Sequence, residues 1–261
     1  MKYAIYQMDI IAGKPSENRG KVKEWVEKTM ESISPDILVL PEMWTTGYNL
    51  AVLEEVAEEN GQDTVPFLAE LAKRFNVNII GGSVANKKND RIYNSSFVVN
   101  RLGELIYEYD KIHLVPMLDE HLYLEGGKKK VRVFELDGVK MGVIICYDLR
   151  FPELSRELAL QGAEVLHVVA EWPTARKEHW HALQKARAIE NQMFVVSCNS
   201  VGEYNNVEYA GMSMIIDPWG SELSVGKEQR EETIVNDVSL DLVAKIRKDV
   251  PVFSSRVPEL Y

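Results

Sequence analysis

Val143-Ile144-Ile145-Cys146-Tyr147-Asp148-Leu149-Arg150-Phe151-Pro152-Glu153-Leu154 reads as a buried strand, a sharp turn and the start of a helix. The run from Lys140 to Ile145 is apolar and β-branched near its end, which suits a strand covered on both faces. Pro152 fits the first turn of a helix, where its missing N–H is not needed. The helix would continue through Leu154, Leu158 and Leu160 and stop at Gly162, a good C-terminal cap. Cys146 thus falls where a strand hands over to a helix. Backbone N–H groups and a helix N-terminus at such a turn favour thiolate over thiol.

Two other apolar segments end in a reactive side chain. Leu38-Val39-Leu40-Pro41-Glu42 delivers a carboxylate, and Ile106-Tyr107-Glu108-Tyr109-Asp110-Lys111 delivers an ammonium. In α/β folds, sites gather at the C-terminal ends of strands. A base, a cation and a nucleophile meeting there would suit acyl transfer through a covalent intermediate. The gaps between the three residues are long, so spacing alone does not bring them together.

The rest of the chain alternates in the same way. Strands are predicted over 2–8, 36–40, 78–84, 165–170 and 193–197, with hairpins over 92–109 and 131–145. Helices are predicted from Glu17 to Ser32, capped by Ser16, and from Pro66 to Phe75. Others run from about Arg176 to Asn191 and from a Ser239 cap to Lys248. Two or three strands fall between Glu208 and Val238 and turn at Asp217-Pro218-Trp219-Gly220. The stretch 111–130 is a long loop, a length that is often functional. The class is α/β with mixed sheets, as one domain over 1–261. The tail from about 249 to 261 is expected at the surface or at a dimer interface. A strand into Glu42 and a strand into Cys146, each followed by a helix, hint at two similar halves.

Composition narrows the function classes. The 261 residues are 46% hydrophobic and 27% charged, an ordinary globular balance. A net charge of −10 argues against nucleic-acid or anionic-membrane partners. The basic run Lys128-Lys129-Lys130 is short and reads as a solvated loop. The two cysteines, Cys146 and Cys198, form no CxxC pair or spaced metal cluster, so no metal site and a reducing compartment are expected. The start shows no signal-peptide pattern and no apolar run is long enough to span a bilayer, which reads as cytoplasmic. There is no Gly-x-Gly-x-x-Gly fingerprint and no P-loop, so no nucleotide cofactor is expected. Of the five histidines, His167 sits in an apolar strand as a core residue, and His179 and His181 fall on different helix faces.

Leu40-Pro41-Glu42-Met43, Tyr109-Asp110-Lys111-Ile112-His113-Leu114 and Cys146-Tyr147-Asp148-Leu149-Arg150-Phe151-Pro152-Glu153 together resemble the three signature blocks of the nitrilase superfamily of carbon–nitrogen hydrolases. Order, spacing and flanking residues agree, and the likeness covers essentially the whole chain. The resemblance implies a four-layer α-β-β-α sandwich, a homodimer or a larger assembly of it, and no cofactor. It implies Cys146 as nucleophile, Glu42 as general base and Lys111 as oxyanion stabiliser, with the backbone N–H of Tyr147 facing the same oxyanion. The additional glutamate of the family matches Glu120 best; Asp119 and Glu125 are the alternatives.

Trp172-Pro173, Arg176, Trp180, Ala186-Arg187-Ala188, Glu190-Asn191 and the ending Pro251 to Tyr261 look like the omega-amidase branch. That branch deamidates short dicarboxylic monoamides such as 2-oxoglutaramate and 2-oxosuccinamate. The far carboxylate needs a cation or donors, and Arg150, Arg176, Tyr48 and the loop with Met117 and His121 are candidates. Trp172 and Phe151 could wall the pocket. Glu171 is acidic in a site meant for an acidic substrate and fits only if it points away or pairs with an arginine. Other activities on the same triad are N-carbamoyl amine hydrolase, nitrilase and aliphatic amidase. A non-catalytic binding module on the same fold is the alternative outside enzymes.

Overall fold

The computed structural model describes residues 1–260; Tyr261 lies outside the described residues. The first half runs β1 (Lys2–Gln7), α1 (Pro15–Ser32), β2 (Ile37–Val39), α2 (Leu53–Val56), β3 (Glu58–Glu59), α3 (Thr64–Phe75), β4 (Asn78–Ile80), β5 (Val84–Lys88), β6 (Arg91–Val99) and β7 (Leu105–Asp110). After the long loop come β8 (Phe134–Leu136), β9 (Val139–Ile145), α4 (Pro152–Leu160), β10 (Val165–Ala170), α5 (Lys177–Asn191) and β11 (Phe194–Asn199). Last are β12 (Glu203–Tyr204), β13 (Val207–Glu208), β14 (Met214–Ile216), β15 (Glu222–Val225), β16 (Glu232–Asp237) and α6 (Asp241–Asp249).

Side-chain alternation along β1 and β2 sets the layers. Tyr3, Ile5, Ile37 and Val39 share one core with β9, β10 and β11. Ala4, Tyr6, Leu38 and Leu40 join the opposite core, with Val22, Trp25 and Val26 of α1 and Leu68, Leu71 and Ala72 of α3. One sheet has the order β16-β1-β2-β4-β6-β5-β3, with β7 beside β6, and the other β15-β14-β11-β10-β9-β8. The sheets meet face to face: the Tyr3 hydroxyl lies 3.8 Å from Met141 Sδ, and the Cys198 thiol donates to Tyr6 O at 3.1 Å. The helices α4 and α5 cover the far face of the second sheet, with Leu158 seated against Gly142. The result is the expected α-β-β-α sandwich, and the parallel strands β1-β2-β4 and β9-β10-β11 lie at its buried centre. Among the described residues, no helix is long and apolar enough to cross a membrane.

Several boundaries differ from the sequence reading, for local reasons. Pro15 starts α1 one residue before Ser16, so Ser16 caps nothing. Helix α6 begins at Asp241 behind Leu240, and the Ser239 side chain makes no cap. The strand expected over 78–84 ends at Ile80, because Gly81 and Gly82 turn the chain. A separate strand, β5, then pairs with β6 across Asn89-Asp90, both at positive φ, a turn of the primed hairpin kind. His167 is a core residue as read, with Nδ1 at 3.1 Å from Gly142 O, but its Nε2 has no partner. In the C-terminal tail, Phe253 packs against the main core, with the Arg156 and Arg247 guanidinium groups 5.4 and 5.2 Å from its ring.

One glycine holds the end of β2 in place. Gly82 has φ +61°, and a Cβ there would land on the Pro41 carbonyl oxygen. Its neighbour Ser83 clamps the same turn, donating its N–H to Pro41 O at 3.0 Å and accepting Met43 N–H on Oγ at 3.0 Å. Backbone cannot relax away from such a contact as a long side chain can. Gly82→Ala is therefore expected to destabilise the protein by about 1–3 kcal/mol in denaturant unfolding. It should also lower turnover by displacing Glu42; unchanged stability and rate would contradict this account.

Candidate active site

The three chemistry-bearing side chains arrive from different strands. Glu42 follows β2, and the next residue, Met43, takes φ +44°. Cys146 follows β9 and itself takes φ +47°, the left-handed region that a non-glycine residue enters at a cost of about 1 kcal/mol. This conformation lifts the thiol out of the strand direction and opens the 3-10 turn Cys146–Arg150, with α4 behind it. Lys111 follows β7, its N–H donating to Asn94 O at 2.9 Å.

They converge. Lys111 Nζ lies 2.9 Å from Glu42 Oε1, 2.8 Å from Glu120 Oε1 and 3.0 Å from the Tyr48 hydroxyl, and neither Lys111, Glu42 nor Glu120 is exposed. Asn94 Nδ2 donates to Glu42 Oε1 at 2.8 Å. The backbone N–H of Glu171 donates to Glu42 Oε2 at 2.8 Å, and the Val115 N–H donates to Glu120 Oε2 at 2.7 Å. Glu42 lies close enough to the Cys146 thiol to act on its protonation. Burial works against the Lys111 ammonium, but Glu42 and Glu120 outweigh it and raise its pKa.

Cys146 departs from expectation in its protonation. Burial and the Glu42 carboxylate push its thiol well up, against the downward pull of Lys111. The turn alone suggested a thiolate; desolvation and two nearby carboxylates reverse that, so the resting group is a thiol.

Glu120 comes from a 3-10 turn, Glu120–Leu122, entered through Asp119 at φ +53°. The two alternatives point elsewhere: Asp119 is exposed, and Glu125 pairs with Lys128 at 2.7 Å. Tyr48, expected among the substrate donors, instead hydrogen-bonds Glu42 at 2.7 Å and Glu120 at 2.6 Å, although it also lines the pocket. That pocket, with Cys146 at its base, is walled by Tyr147, Arg150, Trp172, Arg176, Met117 and Glu171, among others. Arg150 lies over the Trp172 ring at 4.7 Å, and Trp172 Nε1 donates to Arg176 O at 2.8 Å. Two candidates are placed away from it. Phe151 stacks flat on His113 with centroids 3.5 Å apart, because the turn aims it back at the loop, and His121 is exposed. Glu171 neither points away nor pairs with an arginine. It is buried, and its Oε2 has no partner.

Asp148 and Asn94 escaped the sequence reading. Buried Asp148 accepts the Tyr109 hydroxyl at 2.7 Å and Ile145 N–H at 3.2 Å on Oδ2, with His113 N–H at 3.0 Å on Oδ1. It ties the Cys146 turn to the strand that delivers Lys111. Its place inside the quoted block was a signal; Asn94, mid-strand with no motif, offered none. Among the described residues, no group of three or more His, Cys, Asp or Glu could hold a metal ion.

A sequence model described as Carbon-nitrogen hydrolase matches residues 2–248. The chain is 48% identical over the full length of both proteins to a 2-oxoglutaramate amidase of Bacillus subtilis (strain 168). It is 35% identical to omega-amidase YafV of Escherichia coli (strain K12), over 87% of each chain. The crystal structure of Saccharomyces cerevisiae Nit3, a nitrilase-superfamily member, superposes with a TM-score of 0.90 at 29% identity, covering 98% of this chain and 96% of that one. The chain belongs to the carbon–nitrogen hydrolase family, whose members act on carbon–nitrogen bonds other than peptide bonds.

Proposed function

We propose that the protein is an omega-amidase-type enzyme. In this reading it hydrolyses the terminal carboxamide of a short dicarboxylic monoamide, of the 2-oxoglutaramate or 2-oxosuccinamate kind, to carboxylate and ammonia. The observation that carries the substrate class is the pair Arg150 and Arg176. Both line the pocket in front of Cys146, and among the described residues neither forms an ion pair. Guanidinium groups that have no carboxylate partner and line the same pocket as a reactive thiol suit a substrate with a carboxylate at its far end. The relatives reported above support the same reading.

The geometry supports these steps. Glu42 takes the Cys146 proton as the sulfur attacks the amide carbon. The resulting oxyanion faces the N–H of Tyr147, which lies in the first turn of a 3-10 segment where N–H groups lack an internal acceptor. Lys111 faces it too, chiefly as a charge, because its three N–H donors already meet Glu42, Glu120 and Tyr48. Glu42 returns the proton to nitrogen, the carbon–nitrogen bond breaks, and ammonia leaves. Water, deprotonated by Glu42, then hydrolyses the thioester on Cys146. Glu120 and Tyr48 hold Lys111 in place.

Ammonia release from 2-oxoglutaramate, 2-oxosuccinamate, an N-carbamoyl amine and a simple nitrile tests the reading. Fast turnover of the ketoamides, lost in Cys146→Ala, is expected; turnover of only the carbamoyl compound or the nitrile would sink the substrate assignment. Arg150→Ala and Arg176→Ala, measured separately, should show which arginine reads the carboxylate. The reader's loss should raise KM roughly 10- to 100-fold for the ketoamide, and leave an uncharged amide such as propionamide unaffected. Because the Cys146 thiol is raised, its modification by methyl methanethiosulfonate in a Cys198→Ala background should be slow at pH 7. The rate should climb about tenfold per unit toward pH 9. A plateau below pH 7 would show a resting thiolate instead.

A further inference from the structure

We propose that Glu171 reads the leaving group: its side-chain carboxyl accepts an N–H of the substrate's primary carboxamide while Glu42 delivers the proton that releases ammonia. The proposal rests on the roles given above to Glu42 and Cys146.

Placement is the first argument. The Glu171 N–H donates to Glu42 Oε2 at 2.8 Å, and the adjacent Trp172 N–H donates to Asn199 Oδ1 at 2.6 Å. Asn199 Nδ2 in turn reaches Trp172 O at 3.3 Å and Gly211 O at 2.8 Å. The backbone carrying Glu171 is therefore pinned on both sides, one of them by the proposed base. A leaving nitrogen that takes its proton from Glu42 comes within a side chain's length of Glu171.

The second argument is an unmet hydrogen bond. Glu171 lines the pocket that holds Cys146, is only 3% exposed, and its Oε2 finds no partner. Buried polar atoms of this kind are uncommon, and leaving one unpaired is unfavourable by about 1–3 kcal/mol. A primary carboxamide carries two N–H groups, and Glu42 can serve only one side of the nitrogen. The orphan oxygen offers the second a partner.

Charge resolves the remaining objection, that an acidic residue should repel an acidic substrate. Burial and the nearby Glu42 carboxylate push the Glu171 carboxyl well up, with Lys111 pulling the other way. A neutral carboxyl adds no repulsion and still presents an acceptor oxygen.

The test compares a primary carboxamide with the methyl ester of the same acyl group. Both form the same thioester on Cys146, but only the carboxamide has N–H groups. In Glu171→Leu, kcat/KM for the carboxamide should fall about 5- to 100-fold and that for the ester should hold. Glu171→Gln, which keeps an acceptor oxygen, should recover most of the carboxamide rate. If the leucine variant does not fold, Glu171→Met supplies the same comparison at matched length. Equal losses on amide and ester would reduce Glu171 to a structural role, and an undiminished carboxamide rate in Glu171→Leu would dismiss it altogether. The ratio can be read on any primary carboxamide that the wild type turns over. Failure on 2-oxoglutaramate would thus refute the substrate assignment without touching this test.

Discussion

The Lys111 ammonium, wholly out of solvent, is the constraint around which the site is built. Stripping a charge of water is unfavourable by several kcal/mol, and that loss is offset only if every donor finds a partner. Lys111 meets this with Glu42, Glu120 and the Tyr48 hydroxyl at 2.8–3.0 Å. Removing Tyr48 would leave a buried N–H donor unmet, and removing either glutamate would change the charge balance of the buried cluster. The cluster therefore couples three remote segments: the turn after β2, the end of β7 and the long loop. Its geometry is a condition of folding as well as of chemistry.

This arrangement explains the protonation of the nucleophile. Two carboxylates and one ammonium surround a thiol in a site with little water, and the balance keeps the proton on sulfur. A thiol is inert until a base takes its proton, and in the mechanism proposed above Glu42 takes it as a carbonyl arrives. In that mechanism, reactivity is confined to bound substrate. The left-handed backbone at Cys146 turns the chain from β9 into the 3-10 segment that precedes α4.

Behind the reacting groups lies a layer of hydrogen bonds that does no chemistry. Asp148 joins the Cys146 turn to Tyr109 and His113, and Ser83 grips the turn that carries Glu42. Asn94 accepts on its carbonyl from Lys111 N–H and donates from its side chain to Glu42. Positional errors of an ångström at a site like this reduce rates strongly, so rigid support is part of the mechanism.

The layer architecture was legible in the chain because it depends on local pattern. Alternation in β1 and β2, the strand-turn-helix at Cys146 and the apolar stripe of α1 each follow from residues a few positions apart. Glu42, Lys111 and Cys146 stood out as the ends of apolar strands for the same reason, but their joint role, like that of Glu120, was implied only by the likeness to a family. Boundaries slipped where one residue decided them, as with Pro15 ahead of Ser16 and Gly81-Gly82 inside an expected strand. Other features came only from the tertiary structure. These are the burial of Lys111, the thiol state of Cys146, the move of Tyr48 into the ammonium cluster, the turn of Phe151 onto His113 and the orphan oxygen of Glu171. Each depends on which distant segments pack together and on how much water they exclude. Desolvation and through-space charge have no signature in the spacing of residues along a chain.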